Sequence, residues 1–234
     1  MSHPAEPALP AETSTLTARA ILFDMDGTLV DSTAIVEQVW SEFADRYGLD
    51  FDEILRTSHG VQAGDTVRRY APAGADFEAL TAELGEMERS RTDGVIALPG
   101  AAAVLAALPD EAIALVTSAD SILAGIRMEA AGLAMPSTAV TAESVTRGKP
   151  HPEGYLKAAA LLGADPADVV VFEDAPAGIA AARAAGMRTV VVGKAAARHD
   201  ADLEPGMWRI PDYTAVTVTA VKDDDGGHLL TLTL

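Results

Sequence analysis

Four short apolar runs constrain this chain more than any other feature: Ala20-Ile21-Leu22-Phe23, Ala112-Ile113-Ala114-Leu115-Val116, Val169-Val170-Val171-Phe172 and Thr189-Val190-Val191-Val192. Each is continuous rather than alternating, the pattern of a strand covered by helices on both faces. Helical patterns occupy 99–108, 121–131, 152–162 and 177–185 between them. Proline or a polar residue opens most of these, and Gly132, Gly163 and Gly186 close three. Strand and helix in alternation imply an α/β fold with a doubly wound parallel sheet.

One interval breaks the alternation. From 32 to 96 the pattern is helical, with segments at 34–47, 52–57, 65–70 and 76–90 and no convincing strand. That is too long for one crossover. It is read as a helical cap domain inserted after the first strand, hinged near Asp31 and near Ile96 to Pro99. The core domain would then be 18–31 and 97–234, with 1–17 a loose tail. After Gly193 the pattern changes again: apolar stretches at 213–218 and 228–232 flank Asp223-Asp224-Asp225-Gly226-Gly227, a hairpin around a solvated turn.

Composition narrows the function. With 49% hydrophobic residues in 234, a sizeable core can be buried, and the absence of cysteine excludes disulfides, thiolate nucleophiles and zinc–sulfur sites. The 35 acidic against 17 basic residues give a net charge of −18, which repels nucleic acid and anionic membranes alike. A phosphate would also be repelled at long range, so any anion site must be made locally by a metal ion, a lysine or backbone N–H groups. No uninterrupted run of eighteen apolar residues occurs, and residues 1–17 lack the basic start and apolar stretch of a secretory signal. The expectation is a soluble, cytoplasmic monomer acting on a small molecule.

Chemistry gathers at the ends of the strands, where open α/β sheets bind ligands. Asp24 and Asp26 follow the first run, Thr117-Ser118 the second, Arg147-Gly148-Lys149-Pro150 a shorter element at Thr138-Ala139-Val140, and Glu173-Asp174 the third long run. Crowded carboxylates are unfavourable unless a cation or proton compensates them. Carboxyl groups without His or Cys ligands suit a hard, oxygen-seeking ion such as Mg²⁺. Asp24 could attack a phosphorus atom to form an aspartyl-phosphate, and Asp26 could protonate the leaving oxygen and later deprotonate water. Thr117 and Lys149 would spread the phosphoryl charge, and Gly27 would let the backbone pass close to the ligand. Taken singly each feature has a blander reading: Asp24 and Asp26 as a calcium loop (which Thr28-Leu29 does not continue), Thr117 as a helix cap, Lys149 as a solvated loop residue.

Taken together, Asp24-Met25-Asp26-Gly27-Thr28, Thr117, Gly148-Lys149-Pro150 and Glu173-Asp174 resemble the four ordered motifs of the haloacid dehalogenase superfamily, over about residues 19–193. The resemblance implies a Rossmann-like core with Asp24 as nucleophile and Asp26 as acid/base. It also implies Mg²⁺ held by Asp24, by the Asp26 carbonyl and by Asp174, with Glu173 either a ligand or an outer partner. Asp26 and Asp174 set the chain apart from the metal-free dehalogenases. The absence of lysine from 32–96 excludes the Schiff-base phosphonatases. Where β-phosphoglucomutases carry a His and a phosphate-gripping Arg, this chain has Val36 and Ala63, which favours hydrolysis.

Ser58-His59-Gly60-Val61-Gln62-Ala63-Gly64-Asp65-Thr66 resembles the glycerol-3-phosphatase and 2-deoxyglucose-6-phosphatase group, with Gln62 where that group tends to have Arg. His59 and Asp65 are thus the expected substrate contacts from the cap, alongside Thr117, Ser118 and Lys149. His151 is read as a structural loop residue, and Trp40, Phe43 and Tyr47 as core. The expected activity is Mg²⁺-dependent hydrolysis of a small sugar or polyol phosphate such as glycerol-3-phosphate. A β-phosphoglucomutase-like mutase and a non-catalytic metabolite binder are the alternatives.

Overall fold

The computed structural model describes residues 14–193, 205–223 and 226–234. Strand β1 (Thr15–Ala18) leads into β2 (Ala20–Phe23), and a tight turn follows to β3 (Val30–Asp31). Four helices come next: α1 (Thr33–Tyr47), α2 (Phe51–Ser58), α3 (Ala63–Tyr70) and α4 (Phe77–Arg89). Strand β4 (Ile96–Ala97) closes this insert by pairing antiparallel with β3. The two expected hinges therefore lie side by side as one short ribbon. Asp50 and Asp76 cap α2 and α4 by accepting from the N–H groups of Glu53 and Ala79, which fixes where those helices begin.

The chain then alternates as the apolar runs require: α5 (Ala101–Ala107), β5 (Ile113–Val116), α6 (Ser121–Ala130), β6 (Ala139–Val140), α7 (Glu153–Leu161), β7 (Val169–Glu173), α8 (Pro176–Ala184) and β8 (Arg188–Val192). With β9 (Met207–Ile210) these make a six-stranded parallel sheet in the order β6-β5-β2-β7-β8-β9. Successive residues of each strand serve opposite faces. Ile21, Phe23, Ile113, Leu115, Val170 and Phe172 pack with α1, α5 and α6. Ala20, Leu22, Ala114, Val116, Val169 and Val171 pack with α7 and α8. Ile21, Leu22 and Phe23 are wholly buried, each worth about 1.5–3 kcal/mol of hydrophobic stabilisation, so the loop after β2 stands on a rigid base.

Strands β10 (Thr217–Lys222) and β11 (His228–Thr233) form the expected hairpin, shifted toward the C-terminus of the first apolar stretch. Its turn residues 224–225 lie outside the described residues, as do 1–13. One reading is corrected here: Thr15, Leu16 and Thr17 are not tail. They pair with Thr233, Leu232 and Thr231 and make β1 the outer partner of β11, with Leu16 and Ala18 buried in the core. Among the described residues, no helix is long and apolar enough to cross a membrane.

Candidate active site

Strand order reverses around β2: the chain moves first to β5 and β6, then returns to β7 on the other side. The crevice at this switch point is where parallel sheets receive ligands. Asp24 directly follows β2, its N–H held by the Phe172 carbonyl at 3.0 Å. The Met25 carbonyl accepts from Leu29 and Val30, each at 2.9 Å, while Met25, Leu29 and Val30 are wholly buried. The apolar members of this turn pin it down and leave Asp24 and Asp26 facing the crevice. Gly27 has φ +83°, and a Cβ there would lie 2.0 Å from Oδ2 of Asp174, so this position requires glycine on two grounds.

Lys149 reaches in from the loop after β6. Its Nζ donates to Oδ1 of Asp24 at 2.5 Å and to Oε1 of Glu173 at 2.7 Å, and all three side chains are buried. Glu173 also accepts from the Tyr155 hydroxyl at 3.0 Å and from the Ala175 N–H at 2.7 Å. Its carboxylate lies against Gly178, where a Cβ would fall 1.4 Å from Oε1. Asp174 accepts from the Thr28 hydroxyl at 3.2 Å.

Oxygens of Asp24, Glu173 and Asp174 come within 4.8 Å of one another. Burial, and after it the Glu173 charge, push Asp24 up to about 7 against the opposing pull of Lys149. Burial also raises Asp174, with Glu173 and Asp24 adding to the effect. For Lys149 burial acts downward, but the Asp24 and Glu173 charges outweigh it and hold the ammonium charged. The cluster is thus short of positive charge even with Lys149 present, and all its donors are oxygens, which fits a hard divalent cation. Proximity alone would count Glu173 as a ligand. Its hydrogen bonds weigh on the other side: Oε1 already has two donors and Oε2 one, so Glu173 has less lone-pair capacity left for an ion than Asp174.

Asp26 lines the same crevice but takes its partners from outside this cluster. Its Oδ1 accepts from the Ser32 hydroxyl and its Oδ2 from Nη1 of Arg127, both at 2.6 Å. Arg127 and its second partner Glu88, at 3.2 Å, were not singled out in the sequence. Each is one polar residue on an otherwise ordinary helix, and no local pattern marks it.

Thr117 accepts from the Ala119 N–H at 3.1 Å, which leaves its hydroxyl hydrogen available, and Asp120 rather than Thr117 caps α6. Ser118 lines the crevice, but its hydroxyl donates to the Gly60 carbonyl at 2.7 Å. Together with the bond from Gln62 to the Ala142 carbonyl at 3.2 Å, it docks the 59–62 loop onto the segments that follow β5 and β6. His59 lines the crevice from that loop. Asp65 does not: it pairs with Arg68 at 3.1 Å and lines a separate groove beside residues 146–150, because α3 turns this position outward. His151 accepts from the Glu153 N–H, as befits a loop residue. Trp40, Phe43 and Tyr47 stack edge-on along α1, and buried Trp40 also forms part of the crevice wall.

The crevice has a volume of about 580 Å³. Its carboxylates (Asp24, Asp26, Glu78, Glu88, Asp120) outnumber its guanidinium groups (Arg68, Arg89, Arg127), and each of those is already paired with a carboxylate.

Residues 18–186 match the model of the haloacid dehalogenase-like hydrolase family, and the chain belongs to that family. Hexitol phosphatase A of Escherichia coli (strain K12) is 45% identical over 178 residues, 74% of this chain and 82% of that protein. Glycerol-1-phosphate phosphohydrolase 1 of Saccharomyces cerevisiae is 38% identical over 186 residues, 75% and 74% of the two chains. Among solved structures, a hydrolase from Pseudomonas syringae superposes with a TM-score of 0.69 at 26% identity, covering 82% of this chain and 94% of that one.

Proposed function

We propose that this protein is a phosphatase that hydrolyses a small sugar or polyol phosphate monoester by way of an aspartyl-phosphate on Asp24. One observation carries the reading: a buried carboxylate at the switch point, held by a buried lysine and joined by Asp174 in an all-oxygen cluster. A mere binder of metabolites has no need of a nucleophile placed this way.

Asp24 attacks phosphorus in line while the bond to the leaving oxygen breaks. Asp26 supplies the proton that the leaving alkoxide requires. It then removes one from the water that cleaves the acyl phosphate, returning Asp24 and inorganic phosphate. Lys149 and the Thr117 hydroxyl hold the phosphoryl oxygens. Mg²⁺, held by Asp24 and Asp174 and by the Asp26 carbonyl, would supply charge neutralisation at the phosphoryl group. The helical insert would act as a cap that excludes bulk water while docked and opens for exchange.

The relatives named for hexitol phosphate and glycerol-1-phosphate support a neutral, hydroxylated alcohol part. The crevice supports it too. Its guanidinium groups are committed to carboxylates, and Val36 and Ala63 offer no charge to a second phosphate. That disfavours a mutase, which must grip both ends of a bisphosphate. The test is phosphate release from a panel of hexitol, glycerol and sugar monophosphates, with Mg²⁺ or EDTA, by the native protein and Asp24→Asn. Mg²⁺-dependent release that vanishes in the variant is expected. Conversion of a sugar 1-phosphate to its 6-phosphate without phosphate release would instead establish the mutase.

A further inference from the structure

Arg127 is 4% exposed, and its guanidinium bridges two carboxylates that come from different parts of the chain. Nη1 lies 2.6 Å from Oδ2 of Asp26, in the turn after β2, and Nη2 lies 3.2 Å from Oε2 of Glu88, on helix α4 of the insert. Ser32 completes the arrangement from the hinge. It stands at the N-cap of α1, yet its hydroxyl makes no bond to that helix and donates to Oδ1 of Asp26 instead. A serine at this place ordinarily stabilises its own helix. Here that contribution is forgone to fix one oxygen of Asp26, while Arg127 fixes the other.

From this we infer that Arg127 is a positioning residue for Asp26, and that Glu88 makes the positioning depend on the docking of the helical insert. A guanidinium is a planar fork whose two edges share one orientation. With Glu88 on one nitrogen, the direction of the other toward Asp26 is set; with α4 withdrawn, the fork is free to turn. Arg127 is buried and Glu88 nearly so, while Asp26 keeps part of its carboxylate open toward the crevice. The acid/base thus reaches its working direction when the insert lies over the crevice, and proton transfer is confined to the docked state. The inference rests on the phosphatase reading above, in which Asp26 gives a proton to the leaving oxygen as the P–O bond breaks and takes one from water in the second step.

Leaving groups separate a positioning role from a structural one. An alkoxide needs a proton as it departs, whereas p-nitrophenolate does not. The experiment compares glycerol 1-phosphate with p-nitrophenyl phosphate, in the full chain with Mg²⁺. It uses Arg127→Met combined with Glu88→Gln, so that Glu88 is not left as a largely buried unpaired charge, and Arg127→Lys, which keeps the charge but reaches only one carboxylate. Melting temperatures are measured alongside.

The expected result is a fall in kcat/KM, which covers the steps up to departure of the leaving group, of about 10- to 100-fold for glycerol 1-phosphate and of less than about threefold for p-nitrophenyl phosphate, with a smaller loss of the same sense in Arg127→Lys. Equal loss of kcat/KM on both substrates in a variant of native melting temperature, or a raised KM with kcat unchanged, overturns the inference and leaves the phosphatase reading standing. A native protein that releases phosphate from neither ester, nor from the wider panel, overturns both.

Discussion

The ammonium of Lys149 sits 2.5 Å from Oδ1 of Asp24, both side chains being about 6% exposed. Removing the lysine would leave Asp24 and Glu173 as buried carboxylates without their shared cation. For Lys149→Met we expect a loss of about 3–5 kcal/mol in unfolding free energy and a fall in kcat of about 100-fold or more. Denaturant titration and steady-state kinetics check the two halves separately.

Mg²⁺ should stabilise the fold through Asp24 and Asp174. At about 100 times its dissociation constant the ion would add about 2.7 kcal/mol, read as a rise in melting temperature. Asp174→Asn should abolish that rise. Glu173→Gln should keep most of it while lowering kcat, since Glu173 accepts from Lys149, Tyr155 and Ala175. A rise lost equally in both variants would place Glu173 among the ligands.

Asp24 is pushed from 3.8 to about 7, by burial first and by Glu173 after it. A carboxyl raised in this way holds more protons folded than unfolded between those two values, so its contribution to stability declines as pH rises from about 4 to about 7. Above that the penalty is fully present. In metal-free protein, the stability of native relative to Asp24→Asn should therefore fall across that window, by up to a few kcal/mol. Saturating Mg²⁺ should flatten the slope. A slope of the opposite sign would mean that the Lys149 ion pair outweighs desolvation.

Gly178 is required by the carboxylate beside it, and Gly132 by its backbone conformation alone. A Cβ at Gly178 would lie 1.4 Å from Oε1 of Glu173, so Gly178→Ala should displace Glu173, release Lys149 and cost about 1–3 kcal/mol or more. Gly132 has φ +67° and open space around it. Gly132→Ala should cost about 1–2 kcal/mol from the backbone alone and leave kcat unchanged.

His59 lines the crevice and Asp65 does not. His59→Ala should raise KM for the preferred polyol phosphate by about 3- to 10-fold, the worth of one hydrogen bond. Asp65→Ala should leave both kinetic constants within about twofold. The comparison needs only initial rates on one substrate.

Much of this architecture is legible without coordinates because its signals are local. An unbroken run such as Val169 to Phe172 can only be a strand buried on both faces, and Glu173-Asp174 at its end must then lie at the ligand edge of the sheet. The four helices of the insert announce themselves by periodicity, and two of them by their capping aspartates. β1 does not. Four residues alternating between exposed and buried, next to a proline-rich stretch, become a strand only because β11, more than two hundred residues away, offers them an edge. The short strand β9 is hidden for the same reason: it exists by pairing with β8.

The same division runs through the site. The sequence by itself determined which side chains gather at the ligand edge of the sheet, because an aspartate, lysine or threonine at the end of an apolar strand has its position set by that strand. The tertiary structure alone decided how those groups are held. Arg127 meets Asp26 across 101 positions and Glu88 across 39, and Ser118 is drawn off to Gly60 across 58. Asp65, plausible by spacing, is carried away from the crevice by the orientation of its helix. Contacts between distant segments depend on how helices and loops pack on the sheet. That packing is a property of the whole buried core and leaves no periodic mark on the residues that exploit it.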